Sequence, residues 1–270
     1  MIFLTELFNS GFSYSAINTA RSALSAIETS GTKSIGSHPL ICRFLKGVYE
    51  EKPPKPKYST IWDVSLVLKY FQNIQDNHEL SMGLLTKKVF TILLLVTAQR
   101  LQTISLIRTD CVHITGDSCE IEIVDKIKTS KPGSKNVVLK IQRYHDKKLC
   151  ALSALEEYMK RTVHMRRHCE KLFLCYKKPY GEASKDTMAN WVKKLLFSIG
   201  IVNYGPHSCR AAASSAMLST GVPLDDIMFS AGWQNAQTFH RFYNRSNVNT
   251  GKKQTNLDTP SIMTYFKKLL

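Results

Sequence analysis

Residues 205–243 read GPHSCRAAASSAMLSTGVPLDDIMFSAGWQNAQTFHRFY. Arg210 follows His207 by three residues, so on a helix both side chains lie on one face. Gly221, Val222 and Pro223 end that helix, and Pro223 opens a second one with Asp225 and Asp226 in its first turn. Gly232 closes the second helix, Trp233 follows, and a third helical stretch delivers Tyr243. A His, an Arg, an indole donor and a phenol gathered by short helices suit the holding and attacking of a phosphate.

Working outward, the preceding chain supplies the frame. Leu84 to Ala98 is apolar on almost every side, which predicts a central buried helix. Arg100 sits directly after it in TAQRLQTISLIRTD, with no carboxylate nearby in sequence until Asp110. A cation at a helix end ordinarily satisfies the last carbonyls. A phosphate held by the planar fork is the competing reading. Cys119 to Asp125 (CEIEIVD) alternates Glu outside with Ile inside, and Asn136 to Ile141 (NVVLKI) answers it as the second arm of a β-hairpin. Between them KIKTSKPGSK turns at Pro132-Gly133 and carries Lys126, Lys128, Lys131 and Lys135 at the tip.

Elsewhere the pattern is helical. A helix is expected from Trp62 to Phe71, capped near Thr60; further helices cover Ala151 to Met159 and Thr187 to Ser198, the latter stopped by Gly200. Lys171 to Cys175 (KLFLC) reads as a short strand. Residues 3–28 read as two short helices, the second capped by Ser13 or Ser15, and Pro39 to Val48 adds another apolar patch. EKPPKPKYST, residues 51–60, has three prolines and three lysines, which makes a stiff basic linker. The expected organisation is a partial helical domain at 1–50, that linker at 51–60, a larger domain at 61–250 and a tail at 251–270. The fold class is mainly α with a small β-sheet or hairpin.

Composition narrows the partners. The chain has 270 residues and 43% hydrophobic residues, which allows a sizeable core. Lys and Arg number 37 against 21 acidic residues, and that net charge of +16 favours a polyanionic partner, nucleic acid above all. Arg21, Lys55 and Lys57 join the hairpin lysines as DNA-contacting candidates. Seven cysteines, an odd number, read as reduced thiols of an intracellular protein rather than a disulfide scaffold. The N-terminus does not read as a signal peptide. The apolar run Val89–Val96 is far shorter than the ~20 residues a membrane span needs. His164, His168, Cys169 and Cys175 lack a clean Cys-pair pattern, so no zinc site is expected there.

Taken in order, Arg100, a hairpin lysine, His207-x-x-Arg210, Trp233 and Tyr243 resemble the tyrosine recombinases, the phage-integrase-like family. The wording TAQRLQT, KTSKPG, PHSCRAAASSA, GVPLDDIMFSAGW and TFHRFY is similar to eukaryotic mobile-element members of the DIRS or Crypton kind. The likeness covers nearly the whole chain, with residues 4–27 resembling the end of that family's helical core-binding domain. It implies that Tyr243 attacks a scissile DNA phosphate to give a 3′-phosphotyrosyl link and a free 5′-hydroxyl. Arg100 and Arg210 would hold the non-bridging oxygens. His207 would accept the Tyr243 proton or donate to the phosphate. Trp233 stands where many relatives have a second His, and its indole N–H can donate a hydrogen bond. Lys128, with Lys126 and Lys131 as alternatives, would protonate the leaving oxygen.

The resemblance further implies assembly into dimers or tetramers on DNA, work in the nucleus, and no need for ATP or metal. A DNA-binding descendant without catalysis is the alternative. Two departures stand out. Thr103 occupies a place where a carboxylate often buttresses the first arginine, which leaves Gln99 or Gln102 to anchor Arg100. The interval from Trp233 to Tyr243 is one residue longer than the commonest spacing.

Overall fold

The computed structural model describes residues 1–27, 29–30, 33–54, 58–130, 132–133, 135–233 and 239. Tyr243, Lys131, Lys55, Lys57 and the expected tail 251–270 therefore lie outside the described residues. The chain divides into two compact units, Met1–Ser59 and Thr60–Leu270.

The first unit is built on α1 (Ile2–Asn9), α2 (Tyr14–Ile27) and α3 (Pro39–Glu51). Ser13 caps α2, its hydroxyl accepting from Ala16 N–H at 3.3 Å. Pro39 occupies the first turn of α3, where its missing N–H costs nothing. Leu4, Ile17, Ile41, Leu45 and Val48 form its small core. Ile27, the last residue of α2, is 85% exposed. A two-residue pairing of β1 (Thr29–Ser30) with β2 (Lys33–Ser34) separates α2 from α3, and the sequence pattern gives no sign of it.

The second unit is organised on α5 (Met82–Thr97), which is buried from Leu85 to Thr97 except at Lys87. Its all-round apolar surface is explained by packing against α7 (Ala151–Thr162), α8 (Lys185–Ser198) and α9 (His207–Ser219) at once. The helix before it, α4 (Val64–Asn73), starts later than the sequence implies. Asp63 is the cap, accepting from Ser65 N–H at 2.8 Å, while Ile61 and Trp62 are buried ahead of the helix. A short helix, α6 (Leu101–Ser105), follows α5 after a sharp turn.

The sheet has three antiparallel strands in the order β3 (Val112–Thr115), β4 (Ser118–Ile123), β5 (Val137–Gln142). Ile121 pairs with Leu139 and Cys119 with Ile141, so the buried faces of β4 and β5 coincide as the alternation requires. The edge strand β3 is additional to the expected hairpin. Lys171 to Cys175 is not a strand: Lys171 and Leu174 each form a single isolated bridge, to Arg108 and Glu182, so no ladder develops. The seven cysteines are all free. Among the described residues no helix is long and apolar enough to cross a membrane, and no cluster of His, Cys, Asp or Glu is placed to hold a metal ion.

Candidate active site

The last two described helices carry out the punctuation written in the sequence. Gly221 takes a φ of +81° after α9, Pro223 precedes α10 (Leu224–Ala231), and Asp225 and Asp226 lie in its first turn. Gly232, at φ +67°, ends α10 in the left-handed conformation, and Trp233 N–H reaches back to the Met228 carbonyl at 2.9 Å. Trp233 is thereby turned inward, 8% exposed, with its ring 5.0 Å from that of Phe239.

Arg210 projects from α9 into this corner and is 3% exposed. Its Nη1 donates to two carbonyls, Ala98 at 2.9 Å and Ala231 at 2.8 Å. The guanidinium carbon lies 4.0 Å from the centroid of the Trp233 ring. One cation thus ties the C-terminal end of α5 to that of α10, where helix carbonyls and their partial negative charge collect. The aromatic face covers it.

Arg100 sits on the α5 side of the same tie. Ala98 leaves α5 with φ +47°, a left-handed value that turns the chain sharply, and Arg100 then becomes the N-cap of α6 in extended backbone. Among the described residues nothing takes a hydrogen bond or ion pair from its half-buried guanidinium. The expected anchors do not reach it. Gln99, 2% exposed, donates its Nε2 to the Ser230 carbonyl at 2.7 Å, and Gln102 is exposed. Thr103 is buried at 1% exposure beneath the turn. Instead of anchoring Arg100, Gln99 makes a second tie between the α5 and α10 ends, parallel to that of Arg210.

His207 is exposed at the first residue of α9. The start of that helix is fixed by a buried relay: the Trp62 indole donates to Ser208 Oγ at 2.8 Å, and Ser208 Oγ donates to the Gly205 carbonyl at 2.7 Å. So although His207 and Arg210 are one turn apart, the His faces outward and the Arg is sunk. Trp62 is expected only as the first residue of a helix and Ser208 carries no expectation of its own, although a Trp ahead of a helix carries a donor that burial obliges to find a partner.

The connection between β4 and β5 carries the lysines. Ile127 is half-buried against the core, and a tight turn follows it: Ser130 N–H donates to the Ile127 carbonyl and Ile127 N–H to Ser130 Oγ, each at 3.0 Å. Lys128 occupies the exposed crest of this turn, with Lys126 and Lys135 exposed on either side. Arg21, in the other unit, is half-buried and donates Nη1 to the Gly36 carbonyl at 3.1 Å. The structure therefore brings Arg210 and Trp233 into contact, and places the backbone of Arg100 two residues beyond the Ala98 carbonyl that Arg210 bonds. His207 stands at the surface end of the same helix.

Residues 68–250 match the profile described as the phage integrase family, and the chain belongs to that family, the tyrosine recombinases. The structure is similar to the XerH site-specific recombinase bound to palindromic difH in a post-cleavage complex. The TM-score is 0.61 at 15% identity, over 87% of this chain and 65% of that one. It is also similar to the Tn1549 transposon integrase in complex with circular intermediate DNA. Here the TM-score is 0.56 at 14% identity, over 89% of this chain and 78% of that one. A third likeness is to a lambda integrase dimer bound to a COC' core site, with TM-score 0.54 and 14% identity, over 93% and 64% of the two chains. The chain thus spans about 65% of the length of the XerH protein it matches. Among curated protein sequences, none matches it. The fold is that of a tyrosine recombinase catalytic domain preceded by helices.

Proposed function

We propose that this protein breaks and rejoins double-stranded DNA by site-specific recombination through a covalent 3′-phosphotyrosyl intermediate. The single observation that carries the reading is the tie at Arg210: one buried guanidinium, locked by the Ala98 and Ala231 carbonyls and covered by Trp233, with Arg100 two residues along the chain from Ala98 and without a protein partner among the described residues. Arg210, held in place by the fold, supplies part of what a five-coordinate phosphorane needs, positive charge that does not have to reorganise as the transition state forms, and Arg100 adds a second guanidinium with its donors uncommitted among the described residues.

The roles follow from the side chains. Tyr243 Oη attacks phosphorus, and the bond to the 5′-oxygen breaks. Arg100 and Arg210 hold the non-bridging oxygens. His207, on the solvent side of α9, takes the phenol proton or donates to the phosphate. Trp233 donates its indole N–H and cannot carry a proton. Lys128 protonates the leaving oxygen from the crest of its turn, with Lys126 and Lys131 the alternatives. The phosphotyrosine bond conserves the energy of the phosphodiester, so the cycle requires neither ATP nor metal.

The net charge of +16 and the exposed Lys126 and Lys135 support DNA as the partner, and Lys131, Lys55 and Lys57 complete that proposed contact set. Arg21 belongs to it only by releasing its contact with Gly36. We assign the chain to a eukaryotic mobile element of the DIRS or Crypton kind on its motif wording, with integration in the nucleus and assembly into dimers or tetramers on DNA. The boundaries proposed are a partial core-binding domain at 1–50, a linker at 51–60, the catalytic domain at 61–250 and a tail at 251–270.

The test is a nicked suicide duplex, chosen from a random pool by binding to the protein, incubated with and without chelator. A DNA-protein adduct that resists denaturant, forms equally with chelator and is lost in Arg100→Ala supports the enzyme. Tight binding with no adduct favours a DNA-binding descendant instead.

A further inference from the structure

Asp125 lies two residues beyond the end of β4 and three before Lys128, and its carboxylate forms an ion pair with the Lys171 ammonium. The two groups are half-buried, and neither has a role in the chemistry described above. Lys171 is itself held by the backbone on both sides. It forms a bridge with Arg108, while Thr109 N–H donates to the Glu170 carbonyl and Leu172 N–H to the Ile107 carbonyl, each at 2.8 Å. Arg166 adds two further bonds, from Nη1 to the Lys171 carbonyl at 2.8 Å and from Nη2 to the Leu172 carbonyl at 2.9 Å. The neighbouring Leu172 and Phe173 are fully buried in the core. A surface ion pair between two mobile side chains would fix little. Here one partner is rooted in the core, and the other is at the base of a connection that, among its described residues, otherwise touches the core through Ile127.

We propose that Asp125 and Lys171 form a clamp that positions Lys128, so that the general acid meets the leaving oxygen. The proposal rests on the assignment of Lys128 made above. As the Tyr243 oxygen bonds to phosphorus and the bond to O5′ breaks, the Lys128 ammonium gives its proton to O5′, and the phenol proton leaves to the base of the site. Asp125 and Lys171 touch neither substrate nor phosphate. They act by limiting where the turn Ile127–Ser130 can go, and Ser130 completes it by holding Ile127 N–H.

Two measurements on the full chain decide this. The first is independent of activity. In Lys171→Met, trypsin cleaves after Lys126 and Lys128 at least five times faster than in the wild type, with thermal unfolding of the rest unchanged; equal cleavage overturns the clamp. The second compares ordinary suicide DNA with DNA carrying a 5′-bridging sulfur, whose thiolate leaves without a proton. Lys171→Met and Asp125→Asn lose about 10- to 100-fold of the rate on ordinary DNA, within the ~10²–10⁴ that a general acid contributes. Both recover to near wild type on the sulfur substrate, and the exchange Asp125→Lys with Lys171→Asp recovers part of the loss on ordinary DNA. Variants equally slow on both substrates, or unimpaired on both, overturn the proposal. If Lys128→Ala fails to recover on sulfur, or the wild type forms no adduct, the assignment of Lys128 or the enzyme itself fails. The trypsin result then still decides whether the clamp exists.

Discussion

Arg210 and Trp233 are stacked, guanidinium carbon over indole, at 4.0 Å from the ring centroid, and the same arginine bonds the carbonyl two residues before Trp233. A residue assigned to phosphate chemistry is therefore also a structural pin between the ends of α5 and α10. The two duties separate by substitution, because only one of them needs the planar fork.

Arg210→Lys keeps a donor that can reach the Ala98 and Ala231 carbonyls but loses the fork that grips two oxygens of a phosphate. We expect a stability loss under about 1.5 kcal/mol, the size of a weakened hydrogen bond, together with a loss of adduct formation of 100-fold or more. Arg210→Ala leaves both carbonyls without the cation and costs about 2–4 kcal/mol by the same reasoning. Urea unfolding and adduct formation measured on both variants check the split. Equal losses of stability in the two would contradict it.

Ala98 stands at φ +47°, where its Cβ crowds the backbone and glycine would not. Ala98→Gly is expected to stabilise the protein by about 0.5–1 kcal/mol, since relief of the left-handed penalty of ~1–2 kcal/mol outweighs the added freedom of the unfolded chain. The urea midpoint measures it. A fall in the midpoint would show that Gln99 and Arg210 hold this turn without strain.

Lys88 is wholly buried in the middle of α5, with its ammonium 5.5 Å from the Phe71 ring centroid and no hydrogen-bond partner among the described residues. Burial lowers its pKa to about 8, against the partial support of Asp146. The folded pKa lies below the unfolded value of 10.5, so the unfolded state binds more protons between them. Stability attributable to this group therefore rises with pH across that interval, and the full cost is felt below pH 8. Lys88→Met is expected to stabilise the protein at pH 7 by about 1–3 kcal/mol, as removal of an uncompensated buried charge does. The difference between variant and wild type should shrink from pH 8 to pH 10.5 in parallel unfolding curves. A constant difference would contradict the assignment.

Much of this frame was legible because it is written in local physics. The apolar surface of α5, the Glu/Ile alternation of β4, and the Gly221, Pro223 and Gly232 stops each act within a few residues. The failures share another cause. β3 is an edge strand whose Val112–Thr115 face is mostly exposed, so it lacks an alternation to read. KLFLC is apolar like a strand, but it is the folded chain that decides whether a neighbour exists to pair with it. At the site, the residue types at 100, 207, 210 and 233 were visible, but the partners of Arg210 and Gln99 are backbone carbonyls more than a hundred residues away in two of three cases. No pattern of side chains announces a carbonyl. Lys88 was likewise hidden, since a lysine in a helix is ordinarily taken as solvated.

The central claim is that Tyr243 becomes bonded to DNA, and the most direct measurement is the mass of the peptide left on the DNA after the trapped adduct is digested. The account predicts a nucleotide-bearing peptide with Tyr243 as the modified residue, joined to a 3′-phosphate, and no adduct from Tyr243→Phe. A modified residue other than Tyr243, or an adduct that persists in Tyr243→Phe, would contradict it.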